Sequence, residues 1–508
     1  MKKVTIFLML ISILSQITGF LRELTLSYFY GASNISDAYL ISITIPMVIF
    51  SFIGRSLTTS FIPIYANIEN EKGKQSAVKF TQNLISHLFL ILTVIVLISF
   101  IYAPQIVKLF ASGFDNYTMD TAKDFSRITI FGIYSMVIVN ILSSILQYNS
   151  KYVMPALTGI VMNGVVIVSV YLSWIQDNLI ILSVGTLISM LVQALMLYPI
   201  SRNMGVKFKF ELDTSDKNLR QIINLSIPVI AGVAVNEINV LVDRTIASGI
   251  SVGGISALNY ANKLNGFIYG IFVFSISTVL YPTIIKRLNQ NDNKGFLKSF
   301  RESIVGVIIF VIPATVGLMT LPEPIISFLY GRGAFGQDAI ALTSSALFFY
   351  SFGIIGVSLR QIISRVYYAI QDTKTPMINA SIGMIINIIL NIILSKFLGI
   401  GGLALATSIS AIVTTSLLFI SLRKKLGPLG MKQISISFLK ILFASLIMGG
   451  LAKLSFNYLT SSLSQNLSLL IAIGAGAVSY FVIIYFMKIE DVDVIVGAIK
   501  KKLGRGAA

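Results

Sequence analysis

Long apolar segments recur along the whole chain, and they constrain its fold more than any other feature. A helix needs roughly 20 apolar residues to cross the hydrocarbon core of a bilayer. Stretches of about that length or longer lie at about 4–30, 36–66, 80–103, 125–148, 154–174, 179–201, 219–249, 255–285, 302–321, 340–370, 376–398, 401–422, 434–458 and 466–487. With 55% hydrophobic and only 12% charged residues, the 508-residue chain predicts an all-α polytopic membrane protein with 14 transmembrane helices.

The charges outside these segments predict an orientation. Lys and Arg fall mostly in alternate connections and at both ends of the chain, roughly 25 against about four in the other connections. Both termini are therefore expected to be cytoplasmic. Topology and attraction to anionic lipid account for the net charge of +18, so no nucleic-acid partner is expected. Since the chain has no Cys and one His, disulfides, thiolate nucleophiles and Cys or His metal clusters are excluded.

An internal repeat appears at an offset of about 220 residues. Five pairs of short matches keep their order, among them 131–133 with 352–354, Pro155 with Pro376, and 103–110 with 321–329. The repeat predicts an N-lobe of helices 1 to 6 (1–201), a cytoplasmic linker (202–218), a C-lobe of helices 7 to 12 (219–425), and helices 13 and 14 with a basic cytoplasmic tail (426–508). Lobes of six helices have parallel topology, so a substrate is expected between them.

Arg22 lies inside the first apolar segment, about 12 Å from its far end. An arginine at that depth costs at least about 2.5 kcal/mol, so it should face protein or a water-filled cavity. One interpretation is a cationic anchor for an anionic substrate. The other is an internal ion pair, for which the adjacent Glu23 is expected to be a poor partner, because neighbours on a helix point about 100° apart.

Several motifs together resemble the MurJ (MviN) lipid II flippases of the multidrug/oligosaccharidyl-lipid/polysaccharide exporter superfamily. They are GFLRE at Gly19, YGASNISDAY at Tyr30, SFIPIY at Ser60, VDRTIASG at Val242, ISALNYANKLNG at Ile255, GRGAF at Gly331, YYAIQDTKTPM at Tyr367 and GIGGLALATSIS at Ile400. The resemblance covers nearly the whole chain. It implies that undecaprenyl-pyrophosphate-linked disaccharide-pentapeptide moves from the cytoplasmic to the outer leaflet of a bacterial inner membrane by alternating access.

Cations that hold a pyrophosphate are expected at Arg22, Arg55 and Lys263. Arg22 and Lys263 lie about equally far inside the outer ends of their segments, and the resemblance implies that both are essential cavity cations. The chain departs from the family at Gln16, where an arginine is usual, and at Phe50 and Ser51, where paired arginines are common.

Further charges suggest a gate or ion pairs at Glu23, Asp37 and Arg244. Asp37 opens the second segment, where it can cap a helix. The resemblance adds a role for Asp37 in an outer gate, paired with Arg22 or Lys263. Arg244 beside Asp243 is expected in an internal ion pair rather than as a substrate ligand.

A polar set inside the later segments consists of Asp243, Asn387, Asn391 and Thr407. A carboxylate with amide and hydroxyl oxygens suits a hard monovalent cation, and the resemblance implies a sodium site here. Hydrogen bonding between helices is the alternative. No other cofactor is expected.

Two other activities stay open at this point. A polyprenyl-phosphate sugar transferase would need clustered acids, and a transporter could move another polyprenyl-linked saccharide or cationic drugs. Arginine rather than acid in the cavity disfavours cationic drugs. The expected partners are lipid II or a similar lipid and membrane lipids, and the chain is expected to be a monomer.

Overall fold

The computed structural model describes residues 2–206, 209–290 and 292–487, and regular structure in them is helical throughout. The helices are α1 (Lys2–Tyr30), α2 (Asn34–Lys72), α3 (Lys74–Ile101), α4 (Ala103–Phe110), α5 (Asn116–Thr129), α6 (Gly132–Tyr148), α7 (Val153–Ile175), α8 (Ile180–Asn203), α9 (Lys217–Ile250), α10 (Gly254–Asn289), α11 (Asn293–Thr320), α12 (Pro322–Tyr330), α13 (Gln337–Ala369), α14 (Lys374–Leu426), α15 (Met431–Leu459) and α16 (Gln465–Phe486).

The chain forms two compact units. The first unit comprises Met1–Ser256 with Arg332–Gly336. Its central helix is α2, which packs against α3, α5, α6 and α9, while α7 packs between α1 and α8. The short segment from Arg332 joins this unit where Ala334 N–H donates to Tyr28 O at 2.8 Å.

The second unit comprises Ala257–Gly331 and Gln337–Ala508. In it α13 lies along α14, α11 packs against α13 and α15, and α15 packs against α16. Gly399 interrupts α14 with φ 55° and ψ −131°. Glycine takes that left-handed backbone without the steric penalty of a Cβ, so the break lies where the sequence places glycines at 399, 401 and 402.

Side-chain caps explain several helix starts. Ser33, Asp115, Asp216 and Asp292 precede α2, α5, α9 and α11, and each accepts a hydrogen bond from a backbone N–H in the first turn. At Asp115 the Thr118 N–H donates at 2.7 Å. That bond favours the charged form and holds the pKa of the Asp115 carboxyl below its ordinary value.

The prediction of an all-helical membrane protein is confirmed. In the described part of the chain, 11 helices are long and apolar enough to cross a membrane, or 12 if the bent pair α5 and α6 forms one span. The predicted segment at 125–148 is divided between those two helices, which meet at 43°. The segments at 376–398 and 401–422 lie on either side of the kink at Gly399 within the 53-residue α14, as their predicted separation requires. The short helices α4 and α12 were not predicted as separate helices.

The lobe boundaries stay a prediction. The chain passes from the first unit to the second after residue 256, whereas the repeat places the lobes on either side of 202–218. Units are defined by packing and lobes by a repeat, so one division does not test the other. The basic tail predicted from Lys488 onward lies outside the described residues.

Candidate functional site

Arg22 and Glu23 form a buried ion pair in α1. Arg22 Nη2 lies 2.6 Å from Glu23 Oε1, with 21% of the Arg22 side chain and 3% of the Glu23 side chain exposed. The expectation that adjacent residues pair poorly is wrong here. Although the two Cβ atoms diverge, the arginine side chain is long enough to bend its guanidinium back to its neighbour. The pair has no net charge, which lowers the cost of both groups in an apolar segment.

Asn163 of α7 completes this site. Its Oδ1 accepts from Arg22 Nη1 at 3.3 Å, while its Nδ2 donates to Ser15 O at 3.3 Å and to Thr18 Oγ1 at 3.1 Å. Asn163 is buried, and it fixes the guanidinium relative to α7. Asn163 was not among the predicted site residues. The available signal was a lone asparagine within the apolar segment at 154–174, since polar groups inside membrane helices usually have partners there.

Asp37 contacts the first turn of α10. Its Oδ1 accepts from both the N–H and the hydroxyl of Ser256 at 2.7 Å, and both residues are buried. The N-cap of α2 is Ser33, which accepts a 3.4 Å bond from Ser36 N–H, so Asp37 does not cap the helix, although it lies in its first turn. The carboxylate instead lies at the positive end of α10, where backbone N–H groups favour an anion. The outer-gate role stays a prediction.

Arg244 and Asp243 lie near the end of α9. Arg244 Nη1 donates to Ile255 O at 3.2 Å, and its charge interacts with Asp37. Asp243 Oδ2 accepts from Asn239 Nδ2 at 3.4 Å. The structure therefore brings Asp37, Arg244 and the turn at 255–256 together within the first unit.

Arg55 and Lys263 are exposed in the structure. Arg55 lies in α2 of the first unit, and Lys263 lies in the first third of α10 in the second unit. Exposure of a cation inside a segment predicted to cross the membrane fits a water-filled cavity rather than lipid. Whether either residue binds substrate stays a prediction.

Asn387, Asn391 and Thr407 form a hydrogen-bonded chain in the second unit. Asn391 Nδ2 donates to Asn387 Oδ1 at 2.9 Å, and Asn387 Nδ2 donates to Thr407 Oγ1 at 3.3 Å. Thr407 in turn donates to Leu403 O at 3.0 Å. Both asparagines are buried. The bond between Asn387 and Thr407 joins the two halves of α14 across the break at Gly399, as the hydrogen-bonding alternative expects. Whether these residues also bind a cation stays a prediction.

Three charged residues inside long helices were missed. Glu237 lies in the middle of α9, and Arg360 and Arg365 lie in the last third of α13. All three are partly buried. The same signal that singled out Arg22, a charge within an apolar segment, could have found them.

The fold and these intramembrane charges define a polytopic membrane transporter. An inward-facing multidrug resistance MATE family transporter of the MOP superfamily superposes with a TM-score of 0.68 over 82% of this chain and 96% of its own, and at 15% identity it supports the fold alone. A solved structure described as lipid II flippase MurJ, inward closed conformation, superposes with a TM-score of 0.82 at 32% identity, over 95% of this chain and 98% of its own.

Sequence relatives agree with the second structure. The family model described as lipid II flippase MurJ matches residues 26–474. A probable lipid II flippase MurJ from Thermotoga maritima is 30% identical over 94% of this chain and 95% of its own length, and a lipid II flippase MurJ from Thermosipho africanus is 32% identical over 92% and 93%. The chain belongs to the MurJ lipid II flippase family. It is a multi-pass inner-membrane transporter and not an enzyme.

Proposed function

We propose that this chain moves lipid II from the cytoplasmic to the outer leaflet of the bacterial inner membrane. The observation that carries the proposal is the match of the family model to residues 26–474. The match includes residues of both compact units and is not limited to one of them. Relatives named as lipid II flippases match over more than nine-tenths of the chain. Lipid II is thus the substrate, and surrounding membrane lipids are the other partners.

Arg22, Arg55 and Lys263 bind the pyrophosphate in this proposal. Glu23 has a role in this proposal because it neutralises the charge of Arg22. Glu23 lies 2.6 Å from Arg22, and in this proposal the pyrophosphate competes with Glu23 for the same guanidinium. Asn163 keeps the guanidinium in place during that exchange, because its bonds to α1 do not involve Glu23. Glu23 therefore lowers the free-energy cost of holding Arg22 within an apolar segment.

The 14-helix architecture is part of the proposal. Twelve spans, counting α5 and α6 as one, become fourteen if α14 is two spans that meet at Gly399 and if the 36-residue α10 is another. The short helices α4 and α12 follow α3 and α11 at matching places in the repeat, which supports two six-helix lobes with two appended helices. Both termini then lie in the cytoplasm, and one chain contains both lobes, so a monomer suffices.

Alternating access is supported by contacts at the ends of α2 and α9. Asp37 meets Ser256, Gly113 N–H donates to Ser248 Oγ at 3.0 Å, and Thr245 Oγ1 donates to Leu109 O at 2.8 Å. Each contact joins the predicted N-lobe to the predicted C-lobe at the end expected to be outer. In this proposal Asp37 and Arg244 act in an outer gate, whose contacts separate when the site opens outward.

A sodium ion coupled to transport is a second part of the proposal. Asp243 would supply the charge, and Asn387, Asn391 and Thr407 would supply oxygen ligands. Binding would require the amide chain from Asn391 to Thr407 to turn its oxygens toward the ion, at the cost of the bonds described above.

Flipping of lipid II by the purified chain in proteoliposomes tests the proposal. Arg22→Ala and Lys263→Ala should each abolish flipping, because one cation fewer leaves the pyrophosphate under-neutralised. Lys263→Arg should retain it. Lys453→Ala, which removes an exposed cation from α15, is the matched control and should leave flipping unchanged.

A peptide-free polyprenyl-pyrophosphate saccharide provides the substrate control. Equal flipping of both lipids would assign the chain to a broader class of polyprenyl-linked saccharides. No flipping of lipid II by a folded, reconstituted chain would refute the proposed function.

A further inference from the structure

The linker between α8 and α9 is bound to α3 by a buried asparagine. We call residues Glu211–Asp216 the strap. Asn83 Oδ1 accepts from the Asp213 N–H at 2.8 Å, and Asn83 Nδ2 donates to Asp213 O at 2.9 Å. One turn along α3, Ser86 Oγ accepts from the Glu211 N–H at 3.0 Å. Asn83 and Ser86 are 2% and 3% exposed. The strap therefore shields these two polar side chains from solvent and also supplies their hydrogen-bond partners.

Polar contacts, rather than apolar packing, hold the strap. Its one apolar side chain, Leu212, is 46% exposed. The ion pair between Lys79 and Glu211, 3.0 Å apart, has a largely exposed lysine and contributes little by itself. A polar cavity of about 150 Å³ lies between the strap, α2 and α3. Separation of the strap would therefore expose little apolar surface, and water could replace each bond that is lost.

The strap leads directly into the first turn of α9. Asp216 caps that helix, since its Oδ1 accepts from the Asn218 N–H at 2.9 Å, and its Oδ2 accepts from Asn83 Nδ2 at 3.4 Å. Two turns further along α9, the Ser226 hydroxyl is hydrogen-bonded to Ser56 of α2. Asn83 thus fixes the position at which α9 begins against α2 and α3.

We propose that the strap is a latch that holds the start of α9 on α3 in one transport state and leaves Asn83 in another. The inference rests on the proposed transport function, because alternating access requires the two ends of α9 to separate from α2 in turn. Pro228, which removes one backbone hydrogen bond, lets the first turns of α9 move with the strap. Each of these hydrogen bonds shifts the equilibrium toward the bound strap by about two- to tenfold.

Thiol labelling of Ser86→Cys measures opening of the strap without any transport assay. The chain has no native cysteine, and the new thiol is covered by Glu211 until the strap leaves. Adding Asn83→Ala should raise the rate of modification by a water-soluble reagent about two- to tenfold for each lost bond, because both bonds to Asp213 disappear. An unchanged rate in a folded double variant would refute the latch.

Crosslinking tests whether opening is needed for transport. Cysteines at Lys79 and Glu211, joined by a cleavable bifunctional reagent, should reduce lipid II flipping at least tenfold, and cleavage should restore it. The matched control joins cysteines at Asp372 and Lys425, which pair between the α13–α14 connection and the end of α14 and should leave flipping unchanged.

The two failures are distinguishable. Full flipping by a completely crosslinked 79–211 sample would overturn the latch and leave the proposed function intact. Absence of flipping before any crosslinking would count against the proposed function, while the Ser86 labelling result would still decide whether the strap opens.

Discussion

Glu23→Ala should destabilise the protein because it leaves Arg22 buried without its counter-ion. Removal of one partner from a buried ion pair costs about 3–5 kcal/mol. Arg22 keeps 21% exposure and its bond to Asn163, so the lower end, about 3 kcal/mol, is expected. For a domain of more than 150 residues, about 2 °C of melting temperature per kcal/mol gives a decrease of about 6 °C.

The assay is the apparent melting temperature of the purified protein in detergent, compared at one heating rate because unfolding of membrane proteins is often irreversible. Two further variants separate the effect of the lost charge from the effect of the lost hydrogen bond. Glu23→Gln retains an acceptor for Arg22 and should lose only about a third as much. Arg22→Leu combined with Glu23→Ala removes both charges and should be more stable than Glu23→Ala alone, since no uncompensated charge remains.

Two results would refute this reasoning. A decrease of less than 2 °C for Glu23→Ala would mean that Arg22 does not depend on Glu23. A double variant at least as unstable as the sum of the single variants would mean that the two charges do not interact, whatever their distance.

Three further predictions follow from other contacts. Ser256→Ala should lower the melting temperature by about 3–6 °C, since a buried bond to the Asp37 carboxylate is worth about 1.5–3 kcal/mol, and no change would show that the backbone N–H alone suffices. Gly31→Ala should destabilise by at least about 1–2 kcal/mol, because φ is 64° and a Cβ would lie 2.4 Å from Ala334 O; its control, Gly164→Ala in open space within α7, should be neutral or stabilising in the same melting assay. The Lys425 ammonium holds the pKa of Asp372 at about 2, below its ordinary value. This pair therefore contributes about 1 kcal/mol above pH 4 that is lost as the pH falls toward 2, so wild type and Asp372→Asn should differ in melting temperature at pH 6 and converge below pH 4, and a constant difference would contradict it.

The sequence was sufficient to predict the class of protein because the bilayer restricts the choice of structure. Without water to satisfy backbone groups, apolar segments of this length form helices. The lengths of the apolar segments and the positions of the charges between them therefore predicted the bounds of most helices to within a few residues. They did not predict the break of 125–148 into α5 and α6, since it depends on how neighbouring helices pack.

The partners of the charged residues were decided by the tertiary structure. From the sequence it followed that Arg22 faces protein or a water-filled cavity, because a cation in lipid is costly. That its guanidinium contacts Glu23 and Asn163 of α7 depends on the conformation of a long side chain and on the contact of α1 with α7. Asp37 likewise accepts a hydrogen bond from a backbone N–H of α10, a helix that begins 217 residues later, rather than from the first turn of its own helix. Residues so far apart in sequence become neighbours only when whole helices pack together. A local sequence pattern does not specify which faces of two distant helices will be in contact.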